Sequence, residues 1–192
     1  MKKDIILSGV GGQGIISIAS IIAEAALREG LYLKQAEVHG MSQRGGDVQS
    51  NLRISDEPIA SDLIPKGKAD LIISLEPLEA LRYLPYLGPE GWIITGSEPL
   101  VNMDNYPERE ALEARYARMS NKILLDVDRE AKDCGSPRAA NIVLLGAASP
   151  WVGIPAARLE EVLRDFFARK GEAIVETNRK AFRRGLEIAE KK

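Results

Sequence analysis

Short apolar runs recur along the chain with helical segments between them, and this alternation constrains the fold more than any other feature. Asp4–Ser8, Leu71–Leu75 and Trp92–Thr95 are largely apolar runs of four or five residues, which is typical of buried strands. The intervening segment Pro77–Leu87 suits a helix, because proline is tolerated in a first helical turn. Strands that alternate with helices favour a parallel sheet covered on both faces. We therefore predict a three-layer α/β/α sandwich whose central sheet is mixed but largely parallel.

The sequence predicts six strands and five helices in a single domain over residues 1–192. One segment, Val48–Ile54, alternates apolar and polar residues, which predicts a half-exposed strand. Gly30 and Gly171 stand where helix ends are expected. The remaining predicted strands are Leu31–Val38 and Lys122–Asp126, and the remaining predicted helices are Ile15–Ala23, Ala139–Ala147, Leu159–Phe167 and Ile174–Ile188.

Cysteine and histidine are almost missing, which limits the redox chemistry that the chain can carry by itself. It has one cysteine, Cys134, and one histidine, His39. An iron–sulfur cluster needs about four thiolates, and a structural zinc site needs several Cys or His ligands. An intrachain disulfide cannot form, so we expect a reducing, cytoplasmic location. Any redox metal must come from another polypeptide.

Charge and hydropathy argue against nucleic acid and membrane as partners. The net charge is −2, whereas a general nucleic-acid-binding protein carries an excess of basic residues. The charge-free stretch Ala139–Ala157 contains Pro150 and Pro155, which would leave broken backbone in lipid. This stretch therefore predicts a buried helix followed by a loop.

A glycine-rich turn after the first predicted strand is the first candidate binding feature. Gly9, Gly11 and Gly14 fit the pattern G-x-G-x-x-G between a strand and a helix, where backbone N–H groups and the helix dipole attract phosphate. The alternative is that small residues merely permit a tight turn. An NAD site is disfavoured by the segment that follows the second strand. Each half of a dinucleotide-binding fold requires a crossover helix there, whereas this sequence has a glycine–arginine loop. We therefore predict a Rossmann-like fold that is not a true dinucleotide-binding fold.

A second glycine-rich loop, His39–Gly46, follows the second predicted strand. Arg44 offers a fixed fork of donors for phosphate or carboxylate, although it could equally serve as an ion-pair partner. Both loops are expected side by side at the carboxyl edge of the sheet, where α/β folds bind ligands. The candidate binding residues are Gly11, Gly12, Gln13, Gly14, Ser42, Arg44, Gly45 and Gly46.

The two loops together resemble the gamma-type domain of the 2-oxoacid:ferredoxin oxidoreductases, in particular the branch that uses indolepyruvate. The resemblance extends over essentially the whole chain. It rests on Gly9–Gly14, His39–Gly46, Glu76, Glu79, Asn141–Gly146, Asn178, Ala181, Phe182 and Gly185.

This resemblance implies a specific division of labour. Members of the family decarboxylate a 2-oxoacid on thiamine diphosphate, pass electrons through iron–sulfur clusters to ferredoxin and release an acyl-CoA. It implies that a larger subunit carries the thiamine site and the clusters, and that this chain closes the active site and helps to hold coenzyme A. No catalytic residue, metal ligand or tightly bound cofactor is assigned to this chain alone, and a heterodimer or heterotetramer is expected. Two other functions remain open: an NAD(P)-binding oxidoreductase, and a scaffold whose loops merely contact a partner.

Overall fold

A computed structural model describes residues 1–39 and 45–192, with the side chain of His39 left out. The strands in these ranges form one sheet in the order β2-β3-β1-β4-β5-β6. They are β1 (Lys2–Val10), β2 (Tyr32–His39), β3 (Asp47–Ser55), β4 (Ala69–Ser74), β5 (Leu87–Gly96) and β6 (Lys122–Leu125). The helices are α1 (Ile15–Arg28), α2 (Pro77–Arg82), α3 (Arg109–Ala117), α4 (Val127–Asp133), α5 (Ala140–Val152), α6 (Ala156–Phe167) and α7 (Glu172–Ala189).

The sheet is mixed, as predicted, because one strand runs against the others. Strand β1 pairs in parallel with β4, β4 with β5, and β5 with β6. Strand β3 lies between β1 and β2 and is antiparallel to both. The first two strands of the chain are therefore not neighbours.

Helices cover both faces of the sheet, which confirms the three-layer architecture. Along β1, Ile5 and Leu7 face the layer formed by α1, α5, α6 and α7, whereas Ile6 faces the layer formed by α2 and α3. Successive residues of a strand point to opposite faces, so this alternation follows from the pleat. Helix α5 is buried along nearly its whole length, as the charge-free stretch predicts, but it continues through Pro150 to Val152, five residues beyond the predicted end. No helix in the described part of the chain has the length and apolarity needed to cross a membrane.

Strand β3 corrects the prediction of a half-exposed strand. Asn51 and Arg53 are buried, although both are polar positions of the alternating pattern. The guanidinium of Arg53 forms two hydrogen bonds to the carboxylate of Asp4, at 2.7 and 3.0 Å, and donates to the carbonyls of Ser61 and Leu63. Since β3 is an interior strand and the loop after it folds over this face, the Arg53 side chain finds its partners inside the protein.

Two segments differ from the predicted helices. The segment Pro77–Leu87 contains a helix to Arg82 and a 3₁₀ turn, Leu84–Tyr86, before β5 begins at Leu87. Helix α6 ends at Phe167, and Gly171, with φ of 97°, precedes α7 after an intervening 3₁₀ turn. Helices α3 and α4 were not predicted, because their charged sequences bury few residues and carry little apolar periodicity.

Candidate functional site

The glycine-rich turn between β1 and α1 is fastened mainly by Gln13. Its side-chain Oε1 accepts a hydrogen bond from the N–H of Val10 at 2.7 Å, and its own N–H donates to the carbonyl of Val10 at 3.1 Å. Gly12 and Gly14 have φ of 103° and 87°, a region that favours glycine. Gln13 therefore uses its carbonyl oxygen to close the turn, and the positive φ values explain two of the glycines.

The two glycine-rich loops lie side by side. The N–H of Gly11 donates to the carbonyl of Gly46 at 2.8 Å, and Val10 pairs with Asp47. The contact arises because β3 is antiparallel to β1 and begins where β1 ends, rather than because β1 and β2 are adjacent. In this structure the Gly11 N–H is therefore occupied by a backbone acceptor, and a role for Gly11 in ligand binding stays a prediction.

The rest of the second loop is only partly described. Gly45 has φ of 80°, and its carbonyl accepts a hydrogen bond from Asn102 Nδ2 at 2.9 Å. Ser42 and Arg44, both predicted binding residues, lie outside the described residues. The loop between β5 and α3, which carries Asn102, thus reaches across to the second glycine loop.

A cavity of about 480 Å³ opens at the glycine turn, on the carboxyl edge of the parallel strands. Its size falls within the roughly 300–1,000 Å³ of small-molecule sites. It is lined by the first turn of α1, the loop after β5, the start of α4, the start of α5 and the turn after α6. The residues that line it include Gly12, Gln13, Gly14, Ser17, Glu98, Leu100, Asp128, Arg138, Asn141 and Lys170.

Asn141 joins the start of α5 to the glycine turn. Its Nδ2 donates to the carbonyl of Gly14 at 3.2 Å. A Cβ atom on Gly14 would lie 2.7 Å from that nitrogen, closer than side chains approach one another. Gly14 is therefore required both by its backbone conformation and by the close approach of Asn141.

Two cations flank the cavity, and sequence reasoning missed both. Arg138 and Lys170 are exposed, and within the described residues neither forms an ion pair. The ammonium of Lys170 lies 5.2 Å from the centre of the Phe167 ring. Both residues come from the C-terminal third, so no local pattern connects them with the glycine turn. The 3₁₀ turns that hold them bring positive charge to the site.

The opposite wall of the cavity is held by Glu76, a buried carboxylate that is 1% exposed. Its Oε1 accepts hydrogen bonds from the hydroxyl of Tyr106 and from the N–H of Leu100, and its Oε2 accepts from the N–H of Glu79 at 2.7 Å. Burial and the adjacent carboxylate raise the pKa of Tyr106, so its hydroxyl stays a donor. These bonds tie the loop of residues 97–108 to the end of β4.

The cavity lining combines apolar, amide and charged side chains, with two cations, Arg138 and Lys170. Carboxylates of Glu98 and Asp128 also line the cavity, and Glu98 pairs with Arg109 at 3.0 Å. Among the described residues, no three His, Cys, Asp or Glu side chains converge as a metal site. The cavity therefore offers hydrogen-bonding groups together with side chains of both charges.

A family profile of the pyruvate ferredoxin/flavodoxin oxidoreductases matches residues 4–188. The chain belongs to this family. It is 37% identical to the indolepyruvate oxidoreductase subunit IorB of Pyrococcus horikoshii, over 98% of this chain and 97% of that one. The resemblance inferred from the two glycine loops is thereby confirmed.

Two solved structures of the family share the fold. The 2-oxoglutarate:ferredoxin oxidoreductase of Magnetococcus marinus, solved with 2-oxoglutarate, coenzyme A and succinyl-CoA bound, superposes with a TM-score of 0.79 at 25% identity. The match covers all of this chain and 31% of that larger one. The gamma subunit of a keto/oxoacid ferredoxin oxidoreductase from Geobacter sulfurreducens has a TM-score of 0.72 at 30% identity, with 99% of each chain covered.

Proposed function

We propose that this chain is the small subunit of a heteromeric indolepyruvate (arylpyruvate):ferredoxin oxidoreductase, a single domain over residues 1–192 that is inactive without a larger partner. The complex converts a 2-oxoacid and coenzyme A to an acyl-CoA and carbon dioxide, and the released electrons reduce ferredoxin. The identity of 37% with an indolepyruvate oxidoreductase subunit favours an arylpyruvate. Pyruvate or another 2-oxoacid is the second candidate, which the likeness to a 2-oxoglutarate enzyme favours.

In this proposal the thiamine diphosphate and the iron–sulfur clusters belong to the partner subunit. The one cysteine, Cys134, is buried, and burial raises the pKa of its thiol. A single protonated thiol does not fit a cluster, which is ligated by thiolates. The electron path therefore runs through the partner, in a heterodimer or heterotetramer that we place in the cytoplasm.

The role that we propose for this chain is to hold coenzyme A and to close the reaction chamber. The observation that carries it is the cavity at the glycine turn, where Arg138 and Lys170 have no ion-pair partner among residues 1–39 and 45–192. Phosphate groups bind well to such cations and to the positive end of a helix such as α1. Ser17 and Asn141 line the same cavity and offer polar contacts to an amide-containing arm.

The test is steady-state kinetics of the reconstituted two-subunit enzyme with Arg138→Ala and Lys170→Ala. Losing one charge-assisted hydrogen bond costs about 1.5–3 kcal/mol, so each change should raise KM for coenzyme A by roughly 10-fold or more. KM for the 2-oxoacid should stay unchanged. Arg169→Ala is the matched control, because Arg169 is an exposed neighbour that does not line the cavity. Equal KM values for coenzyme A in all three variants would remove this cavity from the proposal.

A second measurement tests the division of labour. The isolated chain should reduce no dye from any 2-oxoacid, and activity should appear on adding the cluster-bearing subunit. Comparing indolepyruvate, pyruvate and 2-oxoglutarate with the reconstituted enzyme identifies the substrate. Binding of NAD(P) by the isolated chain, measured by calorimetry, would instead support the dinucleotide alternative.

A further inference from the structure

One long edge of the sheet is open. Strand β2 has eight residues and, within the described residues, pairs with β3 alone. Its side chains Tyr32 and Val38 are 51% and 57% exposed. The opposite edge strand, β6, has only four residues, so it offers a much shorter template.

Strand β2 lacks most of the devices that keep sheet edges apart. Edge strands in soluble proteins are typically short, bulged, interrupted by proline or covered. Here the register with β3 is continuous from Tyr32 to His39, and the strand contains no proline. It carries two charged residues, Lys34, whose ammonium is directed to the carbonyl of Ala60, and the exposed Glu37. An uninterrupted, exposed edge of this length favours pairing with another strand.

The hydrogen-bond pattern shows which backbone groups face outwards. Gly11 N–H donates to the carbonyl of Gly46 where β1 and β3 meet, so the even-numbered residues of β3 bond to β1. In an antiparallel ladder, successive residues of a strand bond alternately to its two neighbouring strands. The odd-numbered residues of β3 therefore bond to β2, where their register partners are even-numbered. The β2 residues whose N–H and C=O groups point to the open edge are therefore Leu33, Gln35 and Glu37.

The outward-facing backbone groups of β2 and the exposed side chains of Tyr32 and Val38 are spaced symmetrically along the strand on either side of Gln35. In an antiparallel pairing of two β2 strands centred on Gln35, Leu33 bonds with Glu37 of the second copy, and Gln35 with its own equivalent. Tyr32 then stands opposite Val38 of the other copy, on the same face of the sheet and at a closely spaced, non-bonded position. Cross-strand pairs of an aromatic and a β-branched residue are among the stabilising ones, at about 0.2–1 kcal/mol each. The symmetry produces this pair twice.

We propose that two copies of this chain associate through β2, antiparallel and centred on Gln35, to form one continuous sheet across a two-fold axis. The partner is a second copy because the same strand supplies both halves of each contact: Tyr32 and Val38 complement each other, and the outward-facing groups match in register. A strand from a different subunit would have to reproduce this spacing independently. The interface lies on β2, whereas the proposed ligand cavity lies beyond β1 among α1, α4 and α5.

Cysteine crosslinking tests the register. In a Cys134→Ser background, Gln35→Cys places two thiols opposite each other, at the Cα spacing of about 5.5 Å of a bonded pair, within the range for a disulfide. Mild oxidation should give a covalent dimer. Ala36→Cys is the matched control, because in this register Ala36 faces Lys34 of the other copy and should crosslink far less. Equal or faster crosslinking at Ala36 would refute the register.

Molecular mass in solution tests the association itself. The full-length chain should elute as a dimer in size-exclusion chromatography with light scattering, and Val38→Lys should shift it to the monomer. Leu27→Lys is the control, since Leu27 is equally exposed, at 57%, but lies on α1. A monomeric wild-type chain up to about 100 μM would overturn the proposal. So would hydrogen-exchange protection of the Gln35 amide that appears only when the large subunit is added, because that subunit would then cover β2.

Discussion

Tyr106→Phe should loosen the wall of the cavity by removing one of the three donors to Glu76. The remaining donor to Oε1 is the N–H of Leu100, at a long 3.3 Å. A hydrogen bond to a charged group contributes about 1.5–3 kcal/mol, and partial exposure of Tyr106 allows water to replace some of it. We therefore expect the free energy of unfolding to fall by about 1.5 kcal/mol, at the lower end of that range.

Glu76→Gln should cost more than Tyr106→Phe. The carboxylate is 1% exposed and accepts three hydrogen bonds, so an amide in its place directs an NH₂ group towards donors. Water cannot reach the mismatch, and an unsatisfied buried polar group costs about 1–3 kcal/mol in addition to the lost bond. The expected order of stability is wild type, then Tyr106→Phe, then Glu76→Gln.

Urea unfolding of both variants measures the free energies, and hydrogen exchange of residues 97–108 measures the loop. Exchange in this loop should accelerate in both variants, while amides of β4 remain protected. In the reconstituted enzyme, KM for coenzyme A should rise with little change in KM for the 2-oxoacid. Tyr86→Phe is the control, because no hydrogen bond of its hydroxyl is present within the described residues. If Tyr106→Phe matches Tyr86→Phe in both stability and exchange, Glu76 does not hold the wall.

Three further outcomes follow from packing and burial. Gly185→Ala should lower the free energy of unfolding by about 1–3 kcal/mol despite the better helix propensity of alanine. The reason is that the added Cβ would lie 2.0 Å from the carbonyl oxygen of Val143. Urea unfolding measures this, with Glu187→Ala as the control at an exposed site. Burial raises the pKa of Glu79, although its ion pair with Arg82 acts in the opposite direction. The folded form therefore holds a proton to higher pH than the unfolded chain, and the contribution of Glu79 to stability declines as pH rises from about 4.5. Relative to wild type, Glu79→Gln should gain free energy of unfolding as pH rises through this region, and a difference that stays constant with pH would contradict this. The thiol of Cys134 should react slowly with a maleimide at pH 7 and much faster in urea, and a fast native reaction would contradict its burial.

Much of the fold could be predicted because apolar runs report burial directly. Strands β1, β4, β5 and β6 are parallel, and the buried residues of β1, β4 and β5 form nearly continuous, largely apolar stretches. The placement of β3 could not be predicted, because its alternating pattern is equally compatible with an edge. Strand β3 is interior because its backbone pairs with both β1 and β2. The ion pair of Arg53 with Asp4 lets a charged residue be buried there, and it links residues 49 positions apart, so it leaves no local periodicity.

The candidate site, like the fold, could be predicted only in part from the sequence. The two glycine-rich loops are visible in the sequence, since each follows a predicted strand and α/β folds gather such loops at one edge. Arg138 and Lys170 were missed because their place at the site depends on the packing of α5 and α6 against the sheet. Their own neighbourhoods, a serine–proline turn and the polar end of a helix, resemble any solvated surface.

The glycines of the fingerprint separate into positions that are packed against other parts of the chain and one that faces the cavity. The N–H of Gly11 is bonded to Gly46, and Gly14 is confined by Asn141, which lies 127 residues further along the chain. Gly12, by contrast, has open space where a Cβ would stand and lines the cavity. A pattern match therefore locates the turn, but it does not say which of its groups remain free for a ligand. That is decided by what packs against the turn: here the start of β3 bonds to Gly11, the start of α5 contacts Gly14 through Asn141, and Gly12 is left facing the cavity.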